Sequence, residues 1–276
     1  MLSVDGLHVS IESVQVLRGL SLTVAEGTMV GLVGRNGAGK TTLMRSVMGH
    51  LPVAQGRVAF DARDLATVPR QGRAALGIGY MPEDRGLVPS LSVEENILIP
   101  VWASPTLQAD ERLHFVYGVL PELKAMRDRR ALLLSGGQQK MVALARALAV
   151  GTRLLLLDEP FEGLAPALSS RLAEVIGGLR GGRLSVLIAQ SDLNHSRSLV
   201  DVEVVVERGA NLAGDKPGPA AGAAIGSKTP SDGRPDARTA SETAPASRAP
   251  ASLQSQSQSQ SQSQGPSRSS GPTGQS

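Results

Sequence analysis

The sequence predicts an α/β fold with a mostly parallel core sheet. Apolar runs of strand length that do not alternate with polar residues are each followed, along the chain, by segments with helical periodicity. Runs of this kind are typical of strands whose two faces are both covered, as in parallel sheets. The 276 residues, 41% of them apolar, are enough for one large domain or two small ones.

The core strands are predicted at four apolar segments, residues 28–33, 154–157, 185–189 and 202–206. Helical periodicity follows the first of them at Leu43, Val47 and Met48, and is clear again over 138–150 and 169–179. Near the N-terminus, residues 7–11, 20–24 and 57–60 alternate more and lie between turn residues. These three segments favour a partly exposed antiparallel sheet.

Composition excludes several classes of protein. The chain has no cysteine, which rules out disulfide scaffolds, thiolate metal sites and a cysteine nucleophile. A net charge of +3 gives no indication of nucleic acid as a partner. Neither a secretory signal nor the roughly 18 consecutive apolar residues of a membrane span are visible, so we expect a soluble, intracellular protein.

The composition changes sharply near Gly214. Residues 214–276 are rich in Ser, Gln, Pro and Ala, with a Gln-Ser repeat from Gln254 to Gln264. Such a segment cannot bury enough apolar surface to offset the entropy of ordering. We therefore predict a globular domain over residues 1–213 and a disordered, low-complexity tail over residues 214–276.

One loop carries a phosphate-binding pattern, G-x-x-x-x-G-K-[ST], between a predicted strand and a predicted helix. It reads Gly34-Arg35-Asn36-Gly37-Ala38-Gly39-Lys40-Thr41, and Thr42 follows it. Its glycines let backbone N–H groups converge on one anion, and the helix start adds the positive end of its dipole. Lys40 would contact the β- and γ-phosphates and Thr41 would offer its hydroxyl to Mg²⁺. We expect these residues to bind ATP.

Four leucines at 154–157 lead directly into Asp158 and Glu159. Two adjacent carboxylates at the end of a buried strand are costly unless a cation or a substrate shares the site. We predict that Asp158 coordinates Mg²⁺ and that Glu159 polarises an attacking water.

A third motif, Leu134-Ser135-Gly136-Gly137-Gln138-Gln139, opens an apolar helix between the other two. With the three motifs in this order, residues 2–213 resemble the ATP-binding cassette (ABC) family. The resemblance implies a P-loop NTPase cassette with an N-terminal antiparallel β subdomain and a helical subdomain at about residues 88–150. It also implies that Ser135, Gly136, Gly137 and Gln138, the signature segment, contact the nucleotide of a second cassette that faces this one head to tail.

Finer features resemble the ATPase subunits of bacterial branched-chain amino acid importers and of their urea and amide relatives. They are Tyr80-Met81-Pro82-Glu83-Asp84, Ser92-Val93-Glu94-Glu95-Asn96 and Glu162-Gly163-Leu164-Ala165-Pro166. Glu83 stands where most cassettes have glutamine and is a candidate Mg²⁺ ligand; the alternative is a surface acid in a loop.

The chain departs from the family pattern at two further positions. Ile11 stands where an aromatic side chain usually stacks on adenine, so we expect weaker nucleotide affinity. Ser191 stands where the family has a catalytic switch histidine, and we include it among the catalytic candidates. His195 comes four residues too late and is interpreted as a surface histidine.

The resemblance implies several partners at the cytoplasmic face of the membrane. These are a second cassette, which we expect to be a paralogue rather than an identical copy, two transmembrane permease subunits and, indirectly, a solute-binding protein. Import of urea or amides and a soluble cassette ATPase remain as alternatives. The 95 residues from Lys40 to Ser135 leave no room for the long coiled coil of DNA-repair cassettes. A regulatory subunit that does not turn over ATP is a further alternative, left open by Ile11 and Ser191.

Overall fold

The computed structural model describes residues 1–192 and 197–212. The predicted surface residue His195 and the predicted tail, residues 214–276, lie outside this part of the chain. The strands of the described residues are β1 (Leu2–Ile11), β2 (Val14–Val24), β3 (Met29–Val33), β4 (Gln55–Phe60), β5 (Arg63–Asp64), β6 (Ile78–Met81), β7 (Leu154–Asp158), β8 (Ser185–Gln190), β9 (Val202–Glu207) and β10 (Ala210–Asn211).

The described residues also form six α-helices, which lie between the strands along the chain. They are α1 (Lys40–Val47), α2 (Val93–Trp102), α3 (Ala109–Val119), α4 (Pro121–Lys124), α5 (Gly136–Val150) and α6 (Pro166–Gly178). Short 3₁₀ turns occur at Leu65–Thr67, Arg70–Gly72, Ala74–Leu76 and Ala131–Leu133. Helices α2 to α5 all fall within the range 88–150 that was predicted to be helical. No helix in residues 1–192 and 197–212 combines the length and the apolar character needed to cross a membrane.

The core sheet has six strands in the order β10-β9-β3-β8-β7-β6. All neighbours are parallel except β10 and β9, so the predicted mostly parallel sheet is confirmed. The second sheet, β2-β1-β4-β5, is antiparallel, as predicted for the N-terminal segments. In the core sheet, the carboxyl ends of β3, β7 and β8 meet at one edge, which is where ligands bind in sheets of this type.

The core sheet separates two apolar layers, and β7 contributes to both. Leu155 and Leu157 pack on the side of helices α2 and α5, whereas Leu154 and Leu156 pack on the side of α1 and the antiparallel sheet. All four leucines are fully buried. This two-sided burial is the physical reason for the unalternating run from which the strand was predicted.

The structure differs from the prediction in several element boundaries. Strand β6 was not predicted, because its four residues include a glycine and give too short a pattern. Helix α5 begins at Gly136 rather than at residue 138, because Ser135 caps it. Helix α6 begins at Pro166, where proline is well tolerated, rather than at residue 169.

Candidate functional site

The phosphate loop lies between β3 and α1, at the carboxyl edge of the core sheet. The Gly34 N–H donates to the Gln190 carbonyl at 3.1 Å, and the Ala38 N–H donates to the Arg35 carbonyl at 3.0 Å. Gly39 begins the helix with a φ of +110°, and a Cβ there would lie 2.6 Å from a methyl carbon of Leu17. The loop conformation therefore requires glycine at this position.

A residue that the sequence did not indicate, Gly209, supports the phosphate loop from the turn between β9 and β10. Its N–H donates to the Ala38 carbonyl at 2.9 Å, and its own carbonyl accepts from the Arg18 N–H at 2.8 Å. A Cβ on Gly209 would lie 1.8 Å from the Val16 carbonyl oxygen. The turn can pack against β2, and so reach the Ala38 carbonyl, only because this residue has no side chain. Nothing in the sequence pattern distinguishes this glycine from an ordinary turn glycine.

Lys40 and Glu159 face each other beside the loop. Lys40 Nζ donates to the Gly34 carbonyl at 2.6 Å and lies 3.1 Å from Glu159 Oε1, and both residues are 5% exposed. Glu159 has a φ of +46°, an uncommon backbone conformation of the kind that clusters at functional sites. Its N–H donates to the Ala189 carbonyl at 3.0 Å, which fixes the residue to β8. The Ser191 hydroxyl donates to Glu159 Oε2 at 3.4 Å.

Asp158 ends β7 and is fully buried. It accepts hydrogen bonds from the hydroxyls of Thr41, at 3.2 Å, and Tyr80, at 3.4 Å. Burial raises the pKa of Asp158 to about 6; Glu83 and Glu159 add to the increase, and the hydrogen bond from Thr41 opposes it. Burial and the nearby Asp158 also raise the pKa of Tyr80, which therefore remains a donor. Tyr80 is the second residue whose role the sequence did not predict.

Lys40, Thr41 and Glu159 open onto a cleft of about 250 Å³. Its lining residues are Val16, Asn36, Gly37, Gly39, Lys40, Thr41, Thr42, Glu83 and Glu159. Glu83 is exposed but belongs to this lining, so the candidate metal ligand and the phosphate loop share one cleft. Ile11 is not among the lining residues. It is the last residue of β1 and is 40% exposed. The apolar side chain that lines the cleft beside the loop is Val16. The base contact predicted for Ile11 is therefore not part of this cleft.

The other side of the phosphate loop faces a second cleft, of about 500 Å³. Gly34, Arg35 and Ala38 line it together with Ser191 from the end of β8. Every predicted residue of the loop thus faces one of the two clefts.

The cleft residues fit a nucleotide phosphate with Mg²⁺. A buried carboxylate with a raised pKa favours a nearby cation, and the Thr41 hydroxyl touches the same carboxylate. In the part of the chain that the structure describes, no group of three or more His, Cys, Asp or Glu residues could hold a metal ion. Asp158, Thr41 and Glu83 would therefore hold Mg²⁺ together with phosphate oxygens and water, as this ion prefers. When bound, it would neutralise charge that develops on the phosphates.

The signature segment does not line the cleft of its own chain. Ser135 and Gln138 form a capping box, in which the Ser135 N–H donates to Gln138 Oε1 at 3.0 Å and the Gln138 N–H donates to Ser135 Oγ at 3.3 Å. A Cβ on Gly137 would lie 2.3 Å from a methyl carbon of Leu168 on α6. The structure therefore brings together the phosphate loop, the acidic strand, Glu83 and Ser191, but not the signature.

Comparisons with known proteins identify the family of the chain. The family model described as ABC transporter matches residues 17–162. The lipopolysaccharide export system ATP-binding protein LptB of Haemophilus influenzae is 33% identical over 219 residues, which cover 79% of this chain and 91% of that protein. The high-affinity branched-chain amino acid transport ATP-binding protein BraG of Pseudomonas aeruginosa is 34% identical over 209 residues, covering 76% and 90%.

Among solved structures, the ADP conformation of MJ1267, an ATP-binding cassette of an ABC transporter, superposes with a TM-score of 0.66. It is 26% identical in sequence, and the match covers 77% of this chain and 89% of that one.

Proposed function

The chain belongs to the ABC transporter ATPase family, and from this membership we propose that it powers the import of branched-chain or other hydrophobic amino acids. Hydrolysis of ATP by a transporter subunit is the family activity. The finer proposal, the solute, is supported by the similarity to BraG and by Pro82 and Glu83, which resemble the branched-chain importers.

The observation that carries the ATPase chemistry is the meeting of Lys40 and Glu159, 3.1 Å apart, in the phosphate cleft. Lys40 follows the loop after β3 and Glu159 follows β7, while Ser191, which follows β8, contacts Glu159 from the neighbouring cleft. Lys40 would bind the terminal phosphates as a point charge, and Glu159 is close enough to orient a water beside them. Asp158 and Thr41 would hold Mg²⁺ at the same edge.

The signature segment would act on a second cassette. Ser135 and two glycines stand at the start of the fifteen-residue helix α5, so free N–H groups and the helix dipole can receive a phosphate held elsewhere. Because these residues are absent from the cleft of their own chain, a head-to-tail pair is the arrangement that uses both sites. We propose a paralogous partner rather than an identical copy, because Ser191 departs from the family pattern.

A groove between α1, β6 and α5 offers a surface for the permease subunits. Its volume is about 1000 Å³, and its lining includes Met48, Ile78, Ile99 and Pro100. Charged residues line it as well. They are Arg45, His50, Glu83, Asp84, Arg85, Lys140, Arg146 and Glu162. Burial, reinforced by Arg70, Arg45 and Arg73, lowers the pKa of His50.

The groove therefore suits a short cytoplasmic segment of a transmembrane subunit that carries apolar side chains and an acidic group for Arg45. This arrangement would place the chain at the cytoplasmic face of the membrane. A solute-binding protein would act on the permeases and not on this chain.

A second candidate function has its own support. LptB relatives of equal similarity belong to lipopolysaccharide export, so a lipid-linked solute leaving the membrane is the competing proposal. Urea or amide import is the narrower alternative within the importer branch.

Transport assays in the native host distinguish these proposals. We expect deletion of the gene to abolish uptake of radiolabelled leucine, isoleucine or valine, with urea uptake and surface lipopolysaccharide unchanged. The wild-type gene should restore uptake, and the Glu159→Gln variant should not. A loss of surface lipopolysaccharide with normal leucine uptake would contradict the import proposal and support the export proposal.

A further inference from the structure

The two oxygens of the Asp158 carboxylate have different hydroxyl donors. Oδ1 accepts from the Thr41 hydroxyl at 3.2 Å, and Oδ2 accepts from the Tyr80 hydroxyl at 3.4 Å. Thr41 is among the residues that line the phosphate cleft, and Tyr80 is not. One oxygen of this buried carboxylate is therefore bonded on the cleft side, and the other is bonded to a residue outside the cleft.

The fold fixes the position of the Tyr80 hydroxyl. Tyr80 lies in β6 opposite Leu156 of β7, and its side chain reaches along the neighbouring strand to the residue that ends it, Asp158. The Tyr80 ring is partly buried and packs against the apolar layer on the α1 side of the core sheet. The ring of His50, three residues beyond the end of α1, lies with its centroid 6.3 Å from that of Tyr80. Because the ring is packed in this way, its hydroxyl is held beside Oδ2.

We propose that Tyr80 is a positioning residue that makes Asp158 select Mg²⁺ over Ca²⁺ when a nucleotide is bound. Its hydroxyl occupies Oδ2 and leaves Oδ1, the oxygen beside Thr41, to face the ion. Mg²⁺ demands near-ideal octahedral geometry, whereas Ca²⁺ tolerates flexible geometry and takes a carboxylate through one or both oxygens. A carboxylate that is held with a single oxygen toward the site therefore favours Mg²⁺. The inference rests on the Mg²⁺ site of the proposed function.

Nucleotide binding by the isolated full-length chain tests this role without turnover. The probe is a fluorescent, non-hydrolysable ATP analogue, titrated in Mg²⁺, in Ca²⁺ and in EDTA. Tyr80→Phe removes only the hydroxyl and should reduce the gain in affinity due to Mg²⁺ about tenfold, the loss typical of a group that orients a metal ligand. The gain due to Ca²⁺ should stay within about twofold, because Oδ2 becomes available to the larger ion. The Kd in EDTA should also stay within about twofold, because Tyr80 does not line the phosphate cleft.

The other tyrosine of the chain provides a matched control. The Tyr117 hydroxyl, on α3, donates to Glu94 Oε2 on α2 at 2.8 Å. Tyr117→Phe also removes one hydrogen bond to a carboxylate, but it should leave the Kd unchanged in all three conditions. For Tyr80→Phe, equal losses in Mg²⁺ and Ca²⁺, no loss in either, or a weakened affinity in EDTA would each overturn the proposal. If Mg²⁺ does not tighten binding by the wild-type chain, the metal site of the proposed function is refuted instead.

Discussion

At the scale of single residues, Lys40 and Glu159 lie 3.1 Å apart but should have separable roles. Lys40→Ala removes a ground-state phosphate contact, so we expect ATP binding to be lost. Glu159→Gln removes only the group that acts on the reacting water, so binding should persist while kcat falls at least about 100-fold. Binding of a fluorescent ATP analogue and phosphate release measure the two effects. Wild-type turnover by Glu159→Gln would show that another residue orients the water.

A second prediction follows from the raised pKa of Asp158 and concerns the stability of the fold. Its pKa is raised to about 6 in the folded chain, so the folded state binds the proton more tightly than the unfolded state. The stabilising contribution of the protonated form is complete only below the ordinary pKa of 3.8 and is lost as pH rises from there through about 6. With ~1.4 kcal/mol per pKa unit, ionisation costs about 3 kcal/mol.

Without nucleotide and in EDTA, Asp158→Asn should therefore be more stable than wild type at pH 7 and equal to it near about pH 3, where the carboxyl is protonated in both states. Denaturant unfolding at the two pH values measures the difference. A variant that is less stable than wild type at pH 7 would mean that the hydrogen bonds from Thr41 and Tyr80 outweigh burial of the charge.

The sequence located those site residues that stand in fixed local patterns. Lys40, Thr41, Asp158 and Glu159 lie in short motifs whose spacing is set by a strand, a loop and a helix. The role of Gly209 was not predicted, because it depends on a contact with Val16, almost 200 residues earlier in the chain. The role of Tyr80 was not predicted for the same reason, since its partner Asp158 is brought near only by the pairing of β6 with β7.

At the scale of elements, burial explains which strands could be predicted. β3, β7 and β8 are buried on both faces and leave continuous apolar runs, whereas β6, β5 and β10 are too short to leave a pattern. The order of strands in the core sheet was not predictable, because parallel neighbours are joined by long crossovers whose pairing depends on the tertiary packing.

The C-terminal end of α1 depends on a single buried guanidinium. Arg73 donates to the carbonyls of Ser46 and Leu65, each at 2.8 Å, and also to those of Val47 and Val68. Arg73→Ala would leave these carbonyls unpaired and open a cavity, so we expect a loss of about 3 kcal/mol in the free energy of unfolding. Arg183→Ala, at an arginine that is 95% exposed, is the control and should change stability by less than about 0.5 kcal/mol. Equal melting temperatures for the two variants would contradict this role.

At the scale of the whole molecule, the C-terminal boundary can be tested by two truncations. Deletion after Gly214 should leave the melting temperature and ATPase activity unchanged, because the composition beyond it predicts no core contacts. Deletion after Glu207 should impair both, because it removes Gly209 and Asn211, whose side chain exchanges two 2.8 Å hydrogen bonds with the backbone of Ser21. A marked loss of stability in the longer truncation would place the domain boundary further along the chain.

The last prediction concerns the pair of cassettes that forms the working unit. Ser191 contacts Glu159 at 3.4 Å, and because its side chain is shorter than that of a histidine, we expect it not to bond a terminal phosphate. A hydrogen bond to a charged group, if made only in the transition state, changes the rate about 10- to 100-fold. The site of this chain should therefore be slow and the partner's site, completed by Ser135, fast. In the complex, Ser191→His should raise the kcat of ATP hydrolysis, whereas Ser198→His, on an exposed turn, should not. If Ser191→His leaves kcat unchanged while phosphate release is faster than turnover, the two sites are not unequal for this reason.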